Sequence, residues 1–246
     1  MLPILVINLD RSRERWVEVA ASADRTGLDL RRVAAVDGTG IPAEMRHGLD
    51  REKFRFSNGR DVLPGEYGCY RSHLEALRMV VDEGHDLAII AEDDISLNPE
   101  LKDRVQAIFD AQPTMDILKL VNHRTRGFIR YGVSARGDAF GRCLHGPQGS
   151  AACYAVTGKG ARTLLDTLEP MWLPYDIALE RGWATGASTF TTLHPLVEFG
   201  SNRQETLIAT RQQYHDVKMP RIKRVGTLMS RGADYIARAL YGIRKA

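Results

Sequence analysis

Glu92, Asp93 and Asp94 are three consecutive carboxylates that close a short apolar run, Leu87-Ala88-Ile89-Ile90-Ala91, before Ile95 turns the chain apolar again. Carboxylate oxygens are hard ligands, and two of them facing one crevice could hold a divalent cation that in turn holds a diphosphate. An apolar run of about four to eight residues with polar ends fits a buried strand of a parallel sheet. Open α/β sheets bind their ligands at the carboxyl edge of such strands. Side chains alternate along an ideal strand, so Glu92 and Asp94 project to one side and Asp93 to the other, unless a turn begins there. The same three residues would also suit a solvated acidic turn.

The elements around this run read as an α/β protein. Residues 3–9 are apolar and β-compatible. Residues 13–26 carry a helical pattern that Gly27 could end, and residues 30–36 form a second strand. That β-α-β opening predicts a parallel crossover unit. Residues 39–64 are polar and irregular, and predict a long functional loop with short helical turns. Tyr67, Tyr70, Leu74, Leu77, Val80 and Val81 predict a helix over 65–84. A second helix is expected over 99–111, strands over 116–121 and 150–157, a helix over 159–168, and strand and loop over 184–200. Residues 122–147 are rich in Arg and Gly and show weak periodicity.

Composition narrows the function classes. The 246 residues are 43% hydrophobic and 26% charged, ordinary for a globular protein. No run approaches the roughly 18 apolar residues that span a bilayer. The N-terminus reads as a strand rather than a leader. Cys69, Cys143 and Cys153 are scattered without metal-ligand spacing, which predicts a reduced, cytoplasmic compartment. The sequence has no G-x-x-x-x-G-K-[ST] phosphate loop, which argues against a phosphate-transfer enzyme.

Four segments then combine: Asn8-Leu9-Asp10-Arg11, Ala35-Val36-Asp37-Gly38, Gly65-Glu66-Tyr67-Gly68-Cys69-Tyr70-Arg71-Ser72-His73, and Glu92-Asp93-Asp94. Their order and spacing resemble glycosyltransferase family 25, the lipopolysaccharide and lipooligosaccharide β-galactosyltransferase group that includes collagen galactosyltransferases. Weaker likenesses follow at Cys153–Ala161 and Pro174-Tyr175-Asp176, so that the resemblance covers about residues 1–205. It implies a GT-A-type, Rossmann-like single α/β sandwich with a mostly parallel central sheet. It implies a domain over 1–216, with 1–121 as the nucleotide-sugar half and 122–216 as the acceptor half.

It further implies an inverting, metal-dependent transfer of a sugar, usually galactose, from a UDP-sugar to a saccharide or lipid-linked saccharide such as lipopolysaccharide. Asp94 and Glu92 would hold Mn²⁺ or Mg²⁺, and His194 could complete the metal shell. Asn8, Asp10, Arg11, Asp37, Gly38, His73, Glu92 and Asp93 would meet the donor. Inversion needs a base opposite the leaving group, and Asp176 is the candidate; an acid in the first turn of a helix is also favoured by the macrodipole alone. His73 could equally be a half-buried structural histidine, Glu66 reads as a first-turn acid, and Ser72 as a small packing residue. His47, His85, His123, His145 and His215 receive no role. The competing reading is a non-catalytic nucleotide-sugar- or saccharide-binding protein that retains the fold.

Charge is distributed unevenly. The chain is +3 overall, but residues 218–246 carry eight basic residues against Asp234, a net +7 that leaves −4 for the rest. Arg224, Arg231, Arg238 and Lys245 recur every seven residues beside an apolar face. This predicts that 217–246 is a basic amphipathic helix on an anionic membrane surface, peripheral on the inner face of the cytoplasmic membrane. A helix packed on the domain would show the same pattern. The acidic body and the absence of interleaved aromatics argue against nucleic acid.

Overall fold

The computed structural model of the protein describes residues 2–200 and 211–244. The chain opens with β1 (Ile4–Asn8), α1 (Arg13–Thr26) and β2 (Leu30–Ala34). Gly27 ends α1 in the left-handed conformation (φ 67°), where its N–H reaches the carbonyls of Ala23 and Asp24. Two 3-10 turns, Gly38–Gly40 and Ala43–Met45, lead to α2 (Arg51–Asn58) and α3 (Pro64–Asp82). Then come β3 (Leu87–Glu92), β4 (Ile95–Ser96), α4 (Leu101–Ala111) and β5 (Ile117–Lys119). A hairpin, β6 (Arg126–Val133) and β7 (Ala139–His145), precedes β8 (Cys153–Thr157), α5 (Gly158–Thr167), α6 (Tyr175–Leu179) and α7 (Gly182–Thr185). The chain continues through β9 (Thr189–Thr192), β10 (Glu198–Phe199), α8 (Arg211–Asp216) and α9 (Val225–Ile243).

Eight strands form one sheet in the order β2-β1-β3-β8-β5-β9-β7-β6. Six run the same way and only β7 and β8 oppose them, so the sheet is mostly parallel in strand direction. Alternating side chains of the central strands feed two cores. Ile4 and Val6 of β1 and Ile89 and Ala91 of β3 pack with Val19 of α1 and Val105 of α4. Leu5, Ile7 and Ile90 pack on the other face with Leu74 and Leu77 of α3 and Leu164 of α5. The result is a three-layer α/β/α sandwich, Rossmann-like in layout. In the parallel pairing of β1 with β3, Ile7 stands beside Glu92, so both strands deliver polar residues at one sheet edge.

Two regions differ from the sequence expectation. The irregular stretch 39–64 contains α2, capped by the Asp50 carboxylate, which accepts from the Lys53 N–H (2.9 Å), and ended by Gly59 at φ 67°. The weakly periodic stretch 122–147 is the β6–β7 hairpin. β6 is the edge strand, with no buried residue and a register shift between Arg130 and Gly132, so no clean alternation marks it in the sequence.

The C-terminal helix also differs. α9 lies on β7 and α2 rather than standing apart. Its protein-facing side carries Arg238, which is only 5% exposed and pairs with the buried Glu180 (3.1 Å). Arg142 of β7 donates to the carbonyls of Tyr241 (3.2 Å) and Arg244 (3.1 Å) at the helix C-terminus. Asp234 accepts from Arg181 (2.9 Å). The apolar face, Val225, Leu228, Met229, Ile236, Leu240 and Ile243, points to solvent. Arg238 is therefore an internal ion-pair partner and not part of a basic outer face, because the buried carboxylate of Glu180 holds it inward; Lys245 lies outside the described residues. Among the described residues, no helix is long and apolar enough to cross a membrane.

Candidate active site

The turn after β3 is the centre of the site. β3 ends at Glu92, and Asp93 and Asp94 form a turn before β4. That turn breaks the strand alternation, so all three acids line one pocket of about 350 Å³. Asp93 is half-buried and held. It accepts from the Asn8 side chain (2.7 Å) and pairs with Arg15 of α1 (3.4 Å). Burial nevertheless raises its pKa above the usual aspartate value, against the pull of Asn8 and Arg15. Asn8 is itself buried at the end of β1 and accepts from Arg32 of β2 (2.9 Å). It therefore acts beneath the pocket, fixing Asp93, rather than in the lining.

Gly38 and Gly68 bring the first turn against α3. A Cβ on Gly38 would overlap the Pro64 carbonyl, and one on Gly68 would stand 2.5 Å from the Val36 carbonyl. Ser72 tightens the same junction by accepting from the Val36 N–H (2.8 Å) and donating to the Gly68 carbonyl (2.7 Å). At this junction Asp37 lines the pocket, accepts from the Thr39 N–H (3.0 Å) and forms an ion pair with Arg11, which also lines it. Asp10 is not brought in: it is 82% exposed and pairs with Arg32 (2.5 Å) at the outer edge.

Helix α3 contributes Glu66, Cys69 and His73 to one wall. Glu66 accepts from the Leu63 N–H (3.1 Å), which caps the helix start. It also accepts two hydrogen bonds from the Arg60 guanidinium (2.6 and 2.5 Å). His73 is fully buried: Nε2 faces Glu92 Oε1 (3.3 Å), Nδ1 faces the Tyr154 hydroxyl (3.3 Å), and the ring stacks on Tyr175 at 4.0 Å. Asp176, in the first turn of α6, lines the same pocket. Burial raises its pKa above the usual aspartate value, with Lys119 pulling it down and Glu180 pushing it up.

His194 is a correction. It is exposed in the turn that follows β9 and does not line the pocket, because Thr192 and Leu196 on either side are anchored inward and leave His194 facing water. Sequence reasoning also missed His123 and Phe199, which stack at 5.8 Å and line the pocket, and Tyr214 of α8. Phe199 arrives through the antiparallel pairing of β10 with β4, a long-range contact with no local signal. Arg15 was equally hidden within the charged pattern of α1.

The arrangement can do specific chemistry. Glu92 and Asp94 present hard oxygen donors at the carboxyl edge of a parallel strand, a donor set that suits Mn²⁺ or Mg²⁺. Arg11 and Arg15 add positive charge beside it, and Asp176 supplies a carboxylate on another element whose pKa burial raises above the usual aspartate value. Residues 1–179 match the profile of glycosyltransferase family 25 (LPS biosynthesis protein). The chain belongs to glycosyltransferase family 25. A "Glycosyltransferase 25 family member" of Aedes aegypti is 30% identical over 114 residues, which is 44% of this chain and 18% of the relative. "Procollagen galactosyltransferase 2" of Homo sapiens is 25% identical over 111 residues, 44% of this chain and 18% of the relative. "Probable inactive glycosyltransferase 25 family member 3" of Rattus norvegicus is 26% identical over 114 residues, 44% and 19%. This family 25 chain thus spans less than a fifth of the length of these curated relatives.

Proposed function

We propose that the protein is an inverting hexosyltransferase that moves a sugar, galactose by the names of its relatives, from a UDP-sugar to a saccharide acceptor of the lipopolysaccharide type. The observation that carries this reading is one pocket, in a family 25 chain, lined by the three acids of the β3 turn and by Asp176. Glu92 and Asp94 would hold Mn²⁺ or Mg²⁺, and the bound ion would offset the charge that develops on the leaving diphosphate. Asp93 keeps the turn rigid through Asn8 and Arg15. Arg11, Asp37 and Gly38 stand where the donor's nucleoside would lie at the ends of β1 and β2. Asp176 takes the proton of the acceptor hydroxyl on a carboxylate oxygen as the new glycosidic bond forms and the bond from sugar to diphosphate breaks.

The test is UDP release from UDP-galactose with an oligosaccharide acceptor, with added Mn²⁺ or Mg²⁺ and with chelator. Metal-dependent release that Asp94→Ala abolishes supports the reading; full-rate release in chelator overturns it. The name of the rat relative favours the alternative of a binding protein without turnover. Donor binding that raises Tm, with no transfer to any acceptor, would establish that alternative.

The acceptor's lipid also suggests a place of work. The outward apolar face of α9 would lie in the interface of an anionic membrane, with Arg231 and Arg244 exposed beside it. This keeps the expected membrane partner, with Arg238 withdrawn from the basic set by its pairing with Glu180.

A further inference from the structure

We propose that Cys69, His73 and Glu92 form a second cation site in the pocket wall, built for a thiophilic divalent ion such as Zn²⁺ and distinct from the hard-oxygen site of Asp94. Cys69 and His73 are four residues apart on α3, so they stand one turn apart on the same face. Glu92 reaches them from the end of β3. The three ligand atoms all lie within 4.8 Å of one another. His73 Nε2 is 3.3 Å from Glu92 Oε1, and Cys69 Sγ is 3.9 Å from the same oxygen. Zinc bonds of about 2.0–2.3 Å in a tetrahedron give edges of about 3.3–3.5 Å. The His73–Glu92 edge already has that length, and the Cys69–Glu92 edge reaches it when the thiol approaches by a few tenths of an ångström.

The surroundings have the form that supports a metal-bound histidine. In the loaded state Nδ1–H donates to the Tyr154 hydroxyl, which is hydrogen-bonded to the Tyr175 hydroxyl at 2.8 Å, and Nε2 turns its lone pair to the ion. Stacking on Tyr175 fixes the plane of the ring. All three ligands line the cavity, so a fourth position opens toward it, the pattern of three protein ligands and one exchangeable site. Thiolate and imidazole select Zn²⁺ over Mn²⁺ or Mg²⁺, whereas the carboxylates of the β3 turn do the reverse. Glu92 has two oxygens and can serve both.

The experiment uses the full-length protein, stripped with chelator and titrated with Co²⁺ as an optical probe. The expected result is one equivalent of tetrahedral Co²⁺ with a thiolate-to-cobalt charge-transfer band, displaced by Zn²⁺. Cys69→Ser removes the band and weakens Zn²⁺ binding at least tenfold; His73→Gln does the same if circular dichroism shows it folded. Cys69→Ser changes one atom at a half-buried position, so it decides the matter if His73→Gln fails to fold. Asp94→Asn keeps the band while losing Mn²⁺ binding read by electron paramagnetic resonance. Failure of sugar transfer would leave the band untouched, so the two readings fail separately. Absence of the band in the wild type, or its persistence in Cys69→Ser, overturns the site.

Discussion

Asp93 and Asp176 are both carboxylates that burial pushes toward their neutral form, and they differ in what surrounds them. Asp93 is locked between Asn8 and Arg15, so it serves geometry. Asp176 lines the cavity and, beyond its burial, answers chiefly to the charges of Lys119 and Glu180. Asp176→Asn should lower kcat by about 10²- to 10⁴-fold, the usual worth of a general base, while KM for the donor changes little. The sign of the pH effect follows from the raised pKa. A base works ionised, so kcat/KM falls as pH drops through a value above the ordinary aspartate pKa of about 3.9. The folded state disfavours the ionised form, so this group costs stability above its unfolded pKa, and the cost disappears as pH falls below it. Asp176→Asn should therefore keep or raise Tm at neutral pH. A kcat equal to wild type would remove Asp176 from the mechanism.

At the scale of elements, the junction of α3 with the turn after β2 sets the donor side of the pocket. Backbone meets backbone there, because Gly38 and Gly68 carry no Cβ. Gly68→Ala should destabilise the protein by about 1–3 kcal/mol, the cost of overpacking, measured by urea unfolding. It should also raise KM for the donor, since Cys69 and His73 follow on the same helix. One helix boundary was readable: Gly27 ends α1 at positive φ, as Gly59 does for the unforeseen α2. The signal for α2, Asp50 followed by Gly59 at helix length, was present within a stretch whose Gly and Pro content suggested loop. For β6 no such signal existed, since an edge strand with both faces partly wet needs no apolar alternation.

At the scale of the molecule, α9 is fastened through a buried ionic contact. Arg238 meets Glu180 at 3.1 Å, and Lys119 stands 4.0 Å from the same oxygen. Removing one partner of a buried pair costs about 3–5 kcal/mol, so Arg238→Ala should lower the urea midpoint without changing an exposed site. The outer face can be tested separately. Leu228 and Ile236 are 70% and 61% exposed. Leu228→Glu with Ile236→Glu should leave Tm within a degree or two and abolish co-sedimentation with anionic vesicles. Unchanged co-sedimentation would mean that α9 faces something other than lipid.

The sequence by itself determined the parallel β-α-β opening, the strand that ends in Glu92-Asp93-Asp94 and the family to which the chain belongs, because periodicity, caps and motif spacing are local along the chain. Tertiary structure decided the rest. It turned Asp93 into the pocket and left His194 in water. It brought His123 and Phe199 to the pocket, turned Arg238 of α9 inward and set the helix's apolar face outward. An amphipathic pattern states that a helix has two faces but not which one will find a partner. That choice rested on Glu180, a buried carboxylate remote in sequence, which draws Arg238 inward as its closest charged partner.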